Sequence, residues 1–401
     1  MMQFILRLVV ATLLCTATAV AQSYEDDFKQ LKGEYTSSVN AWHKSYDDVE
    51  TEAGKITRLR EWPGWSFAPK FTTFAEGAGA SQEAFDALAE VLAMGSSVGE
   101  FDRDLLKYYE RAIELVQANH SDKALRTLCT KMGVSKRSED FLRSLSTEGE
   151  SKNLRAEACF RLGKLFTQRR EMCLPGSWAK RTGVGAFGEY ADSRTRENLD
   201  RFLADQDIEQ LQSEATRYFE TVISEYHDVL SMKGDEMLSV LALREIHELK
   251  HLAIGAVAPD ISASDIDDIP MRLSAYRGKV VLLIFWASWC GPCISDIPHE
   301  KGLHTKFSGR PFAIVGVNAD SDLGSARDSI EENLIPWRSF WNGKDGPAGP
   351  IATDWNVRGW PTVYIIDHKG IIRFKHLRRE GLDEPLEQLI AEAEGSTLGC
   401  K

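Results

Sequence analysis

The chain has 401 residues, 43% of them hydrophobic and 27% charged, with a formal net charge of −12 at pH 7. That length holds two domains or three, and the composition is that of a soluble globular protein. The acidic balance argues against nucleic acid and against anionic membrane surfaces as partners.

Residues 1–21 read as a signal peptide. Arg7 precedes the apolar run Leu8-Val9-Val10-Ala11-Thr12-Leu13-Leu14, and Ala19-Val20-Ala21 fits the small-residue cleavage pattern, which sets the mature start at Gln22. The run falls short of the roughly 20 residues that span a bilayer. Cys15 follows Leu13-Leu14 rather than small residues, which speaks against a lipoprotein signal. Cleavage leaves Cys129, Cys159, Cys173, Cys290, Cys293 and Cys400. An exported chain can form disulfides. A Cys159–Cys173 bridge is one reading, and buried or free thiols outside the 290/293 pair are the other.

Residues 22–252 are expected to form an all-helical domain of helical hairpins. Phe28, Leu31, Tyr35, Val39, Trp42, Tyr46 and Val49 recur at three- and four-residue steps, the period of an amphipathic helix over 24–60. Glu61-Trp62-Pro63-Gly64-Trp65 breaks it. Further helices are predicted at 81–94, 101–118, 121–131, 138–145, 154–169, 208–227 and 235–251, with a long loop over 172–195. Ala215, Tyr218, Phe219, Val222 and Tyr226, followed by Leu238, Leu241 and Ala242, resemble a tetratricopeptide-type pair, without a clean 34-residue period. Such a domain could bind a partner or hold its neighbour in place.

His247-Glu248-Leu249-Lys250-His251 matches the zincin pattern H-E-x-x-H. Nothing after it fits the extended H-x-x-G-x-x-H form, and the helix ends at Gly255. Two histidines near a helix C-terminus, where the dipole favours cations, are the preferred reading, and no metal is assigned.

Residues 253–401 change character. An acidic turn, Asp265-Ile266-Asp267-Asp268-Ile269, suggests an opening hairpin. Lys279–Phe285 is a continuous apolar, β-branched run, which is how a buried parallel strand reads. Trp286-Ala287-Ser288-Trp289-Cys290-Gly291-Pro292-Cys293 follows, and then a helical pattern through Ile294, Ile297 and Leu303. Cys290 therefore sits at a helix start, where a thiol's pKa is lowered. Cys293 lies one turn on, within reach of a disulfide, so the pair can attack and resolve in thiol–disulfide exchange. A zinc half-site would need a second close ligand pair, which the chain lacks. Strands at 312–318, 337–341, 362–366 and 371–377 alternate with helices at 323–334, 351–355 and 382–393, an α/β pattern.

The Trp-Cys-Gly-Pro-Cys stretch after an apolar strand resembles a thioredoxin active site. With Gly255-Ala256-Val257-Ala258-Pro259-Asp260, Leu273–Lys279 and Gly359-Trp360-Pro361-Thr362-Val363-Tyr364-Ile365-Ile366-Asp367, residues 253–395 resemble the TlpA/ResA-like, AhpC/TSA-related thioredoxins. The resemblance implies an extracytoplasmic thiol-disulfide oxidoreductase, often anchored by its leader, with no cofactor, a disulfide-containing protein substrate and a membrane thiol carrier as electron donor. It makes Cys290 the attacking and Cys293 the resolving thiol, and puts Pro361 at the family's cis-proline. Trp289, Trp360 and Thr362 are expected around the substrate. Three positions depart from the pattern or carry it differently. Asp268 stands where glycine is usual, Ile284 where many thioredoxins bury an aspartate, and Asp296 where relatives carry an acid, usually Glu. Asp296 is the expected proton acceptor for Cys293, and Pro298 matches the kinked helix. A helical interaction protein with a secondary redox domain is the alternative. A thiol peroxidase is another, but the P-x-x-x-T-x-x-C context it requires is absent before Cys290.

Overall fold

The computed structural model describes residues 2–49, 58, 61–94, 103–119, 121–174, 193–232 and 234–398. Most of the expected loop at 172–195, the tail of the first predicted helix and Cys400 lie outside them. The chain divides into two compact units. One comprises Met1–Arg170 with Arg181–Ala242, the other Glu171–Lys180 with Leu243–Lys401.

The first unit is helical. Its elements are α1 (Met2–Asp47), α2 (Gly64–Ala78), α3 (Gln82–Met94), α4 (Arg103–Asn119), α5 (Asp122–Cys129), α6 (Lys136–Glu148), α7 (Lys152–Cys173), α8 (Ser193–Ala204) and α9 (Ile208–Glu225), followed by α10 (Leu238–His247), within which the division falls. Among the described residues, no helix is long and apolar enough to cross a membrane. Side-chain caps start several helices: Ser121, Ser135 and Asp207 accept backbone N–H groups of α5, α6 and α9. The periodic face of α1 is an aromatic seam, with Phe28 and Tyr35 against Phe71 and Phe74 or Phe67 of α2. The Trp62-Pro63 break precedes α2 directly, and α2 even carries Pro69 inside it. Its buried Phe67, Phe71, Ala75 and Ala78 outweigh the lost hydrogen bond. Residues Ala215, Tyr218, Phe219 and Val222 form the buried face of α9. Gly163 of α7 lets Phe219 approach where any Cβ would collide.

The second unit is α/β. A two-stranded hairpin, β1 (Ser262–Ser264) with β2 (Pro270–Arg272), precedes a five-stranded mixed sheet of order β5-β4-β3-β6-β7. Its strands are β3 (Val280–Trp286), β4 (Phe312–Asn318), β5 (Ser339–Trp341), β6 (Thr362–Ile366) and β7 (Ile372–Lys375). The β3–β4 and β4–β5 pairs are parallel, and the β3–β6 and β6–β7 pairs antiparallel. Helices α11 (Gly291–Lys306), α12 (Leu323–Asn333), α13 (Pro350–Asp354) and α14 (Asp383–Leu398) complete it. Every residue of β3 is buried, so both sheet faces are covered. Val280, Leu282, Ile284 and Trp286 pack with Ile297 and Leu303 of α11 and with Leu386 and Leu389 of α14. Val281, Leu283 and Phe285 pack on the other face with Leu252, Ile351 and Trp355. In the opening hairpin, Asp265 accepts N–H groups from Asp267 and Ile269 and pairs with Arg338, while Asp268 takes the left-handed conformation at φ 59°.

The H-E-x-x-H segment is a structural tether. After His247 the helix continues as a π-turn, Glu248–Leu252. The Glu248 carboxylate is engaged by the buried Lys375 ammonium of β7 and by the Asn356 side-chain amide, and a His247 ring nitrogen bonds the Asp354 carbonyl. Glu248 is thus committed and is not placed as a base. Among the described residues, no cluster of three His, Cys, Asp or Glu side chains could hold a metal. Removing one partner of a buried ion pair strands the other charge. Glu248→Ala should therefore cost about 3 kcal/mol in urea unfolding of the intact chain, while a chelator should leave the wild-type midpoint unchanged.

Candidate active site

The site stands at the C-terminal end of β3, the central strand. The chain leaves the sheet at Trp286, and Cys290 is the N-cap of α11, with extended backbone. Its sulfur accepts the Cys293 N–H at 3.2 Å. Cys290 and Cys293 form a disulfide with Cα atoms 5.2 Å apart. Both are buried, at 4% and 3% exposure. When the bond opens, the Cys290 sulfur lies where free N–H groups and the helix dipole favour a thiolate.

Two loops hold this cap. Asp320, buried just beyond β4, accepts the backbone N–H and hydroxyl of Ser288 and the side-chain amide of Asn318. The residues before the cysteines are thereby pinned to the neighbouring strand. From the other side comes the loop ending in the cis Trp360–Pro361 bond. The Trp360 ring meets Trp289 edge-on at 6.0 Å, which sets this loop against the motif. Trp289 is 54% exposed, whereas Trp360 is half-buried and packs on both core clusters. Thr362 is buried and its hydroxyl donates to the Gly359 carbonyl, so its side chain shapes the loop.

Asp296 is buried one turn after Cys293, on the same face of α11. One carboxylate oxygen accepts from Arg378 Nε at 2.6 Å and the other from Arg379 Nε at 2.8 Å. Arg378 also donates to the Pro292 carbonyl, and Arg379 to the Ser295 hydroxyl. Burial pushes the Asp296 carboxyl up, but the two guanidinium groups outweigh it and hold the pKa below the usual carboxylate range. A carboxylate so held is a weak base, so this geometry favours an anchoring role over the expected proton transfer.

Glu300 lies one turn further along the same face, at 6% exposure. Among the described residues its carboxyl has no hydrogen-bond or ion-pair partner. Burial, and then the Asp296 charge, push it up to about 8, against a smaller opposing pull from Arg378. Ile284, in the place of the strand aspartate, is buried in the same core cluster as both cysteines. Away from the site, Cys129 and Cys159 are unbridged thiols. Burial pushes the Cys129 thiol well up and that of Cys159 to about 11, which leaves both unreactive.

The structure thus gathers Cys290, Cys293, Trp289, Trp360, Pro361, Thr362 and Asp296 at one end of the sheet. It adds Glu300, Arg378, Arg379, Asn318 and Asp320, which motif reading passed over. Glu300 had a signal, because it falls on the apolar stripe Cys293, Ile297, Leu303 of a helix that should bury it. The arginines and the Asn318–Asp320 pair had none, since only tertiary packing brings them to the motif.

Arrangement and sequence comparison define the same class. Residues 254–375 match the AhpC/TSA family. Over 125 residues the chain is 33% identical to the thioredoxin-like protein YneN of Bacillus subtilis, covering 31% of this chain and 71% of that protein. Over 130 residues it is 31% identical to the thiol-disulfide oxidoreductase ResA of Geobacillus kaustophilus, covering 30% and 68% respectively. Among solved structures, the thioredoxin domain of a thiol-disulfide oxidoreductase from Bacteroides vulgatus is 28% identical, covering 34% of this chain and 98% of that one, with a TM-score of 0.33. The chain is a thiol-disulfide oxidoreductase with a thioredoxin-like domain. It belongs to the AhpC/TSA family, with relatives named ResA and DsbE.

The raised Glu300 pKa makes stability pH-dependent. The unfolded carboxyl titrates near 4.5 and the folded one near 8. The folded state therefore holds an extra proton between these values. Its contribution to stability is complete below the lower value and is lost as pH rises through the upper one. Glu300→Leu removes this term. Urea unfolding at stepped pH should show the variant gaining on wild type by a few kcal/mol, on the order of 3–5, between about pH 5 and 8.

Proposed function

We propose that the chain is exported and acts outside the cytoplasm as a reductant of protein disulfides, recharged by a membrane thiol carrier. The observation that carries the chemistry is the Cys290 sulfur at the N-cap of α11, bonded to Cys293. Gly-Pro between the cysteines resembles reducing thioredoxins, which supports the direction. The Arg7-to-Ala21 pattern supports export.

In the reduced enzyme the Cys290 thiolate attacks one sulfur of a substrate disulfide. A bond forms between Cys290 and that sulfur, the substrate S–S bond breaks, and the other substrate sulfur leaves as a thiolate. Cys293 then loses its proton to that leaving thiolate and attacks the Cys290 sulfur. The Cys290–substrate bond breaks, the second substrate sulfur departs, and the internal disulfide returns. The donor's two thiols reduce it again and become a disulfide. Trp289 and Trp360 would offer an apolar wall to the substrate chain passing Pro361. Asp296 would hold Arg378 and Arg379 beside the first turn of α11, and through Arg378 the Pro292 carbonyl.

Cys290→Ser should abolish reduction of a test disulfide such as insulin's. Cys293→Ser should instead accumulate mixed disulfides, because nothing resolves them. Capture through Cys293 in a Cys290→Ser chain would reverse the assignment. The mature envelope protein should begin at Gln22 on N-terminal sequencing, and recovery of the full-length chain from the cytosol would overturn the export reading.

A further inference from the structure

We infer that Glu300 is a positioning residue for the redox pair: it and Asp296 form a pair of carboxyl groups on one face of α11, one held charged and one neutral, and Glu300 takes up a proton when the Cys290–Cys293 disulfide is reduced. The inference rests on exchange at this cysteine pair and is independent of the direction of electron flow or of export.

The geometry separates the roles of two neighbouring acids. Cys293, Asp296 and Glu300 are all buried and follow one another at helical spacing. Asp296 has both oxygens occupied by guanidinium groups and stays charged. Glu300 has burial but no partner, and a like charge stands one turn away. A buried carboxyl in that position is held neutral, since desolvation and repulsion both disfavour its anion. Its charged surroundings are few. Asp296 lies on its own helix, and Arg378 and Arg379 come from the segment after β7. On α14, Asp383 is paired with His299. Lys301, the next residue, donates to the Asn333 carbonyl.

Ten residues of helix separate Cys290 from Glu300, about 15 Å at 1.5 Å per residue, and Cys293 is seven residues from it. That is too far for direct proton transfer, so Glu300 must act through charge. In the disulfide form the pair is neutral. Reduction places a thiolate at the N-terminus of α11. A new negative charge about 15 Å away, in an effective dielectric near 20, tightens proton binding at Glu300 by roughly sixfold. Glu300 is already balanced at about 8 in the oxidised form. Near and above that pH, the reaction with a dithiol donor balances as follows. The enzyme S–S bond breaks and the donor's two thiols become a disulfide. One donor proton stays on Cys293, Cys290 remains a thiolate, and the other proton is taken by the Glu300 carboxylate.

The test is the midpoint potential of the intact chain, measured against dithiothreitol redox buffers from pH 6 to 10. For wild type the potential should fall more steeply with pH in a window about one pH unit wide above pH 8, reporting the extra proton. Glu300→Gln should lose that steeper segment and keep the rest of the profile. A purely structural role would move stability without moving the slope, so matching slopes in wild type and variant would overturn the inference. Should the variant fail to fold, carboxyl NMR of glutamate-labelled wild type decides. Titration of Glu300 near pH 8 when oxidised and about one pH unit higher when reduced supports the inference. Titration at the ordinary glutamate value, or at the same pH in both states, overturns it. Loss of exchange in Cys290→Ser reports separately on the cysteine chemistry.

Discussion

A sulfur serving as a helix cap imposes most of the architecture described above. The Cys290 thiol occupies the position where Ser, Thr or Asp would normally accept the first free N–H groups. That geometry only arises if a strand stops and a helix starts within four residues, and if the strand is anchored deeply enough to aim the turn. β3 meets the requirement by being buried along its whole length and paired on both sides. Asp320 then fixes Ser288 from the β4 side, and Trp360 closes against Trp289 from the β6 side. Redox chemistry at such a cap comes from the backbone, which needs neither metal nor cofactor to favour a thiolate.

The electrostatics are shifted along the helix relative to the usual thioredoxin arrangement. The strand position that often carries a buried acid is Ile284, part of the apolar cluster around the cysteines. The acids here are on α11 itself, at positions 296 and 300, and their surroundings push them apart. Two arginines hold one charged, and burial holds the other neutral. This asymmetry also explains why Asp296 is poorly suited to be the proton acceptor that its spacing from Cys293 suggests. Proximity on a helix face is necessary for that role, but a base must also bind a proton tightly enough, and the two guanidinium groups hold the Asp296 pKa too low for that. Arg378 and Arg379 occupy both oxygens, and in doing so they tie the segment after β7 to the first turns of the catalytic helix.

What could be read without coordinates followed the range over which the determining forces act. The β3 strand, the α11 start and the Thr362–Ile366 strand are set by local runs of apolar residues and were legible to within a residue. So was Gln82–Met94, expected over 81–94, whereas the periodic first helix, expected over 24–60, runs Met2–Asp47. Two helices escaped. Gly64–Ala78 begins directly after a Trp-Pro-Gly sequence that locally reads as a break, and its Pro69 repeats the signal. Only the packing of Phe67 and Phe71 against α1 outweighs it. Ser193–Ala204 follows a stretch with no periodicity, so nothing local announced it. In the site, the cysteines and the cis-proline were readable because motif and spacing carry them. Arg378, Arg379 and Asp320 reach the motif from 30 to 90 positions away, and that approach is encoded in the sheet order rather than in any window of sequence.

The H-E-x-x-H segment shows the same limit from the opposite side, as a local pattern with the wrong tertiary surroundings. Its two imidazoles do lie close, with ring centroids 4.9 Å apart. Metal chemistry would further require an unclaimed glutamate and a third ligand. Instead Glu248 faces Lys375, whose ammonium is buried and must be neutralised by something. Buried on β7 without Glu248, the Lys375 charge would be left uncompensated. The pair is therefore better understood as a register device. It fixes where the last helical turn meets the sheet, and the same turn brings Leu252 into the core that supports Phe285 and Trp355. The contact that disqualifies the motif as a metal site thus anchors edge strand β7, and the turn that makes it places Leu252 in the core shared with Phe285 of β3.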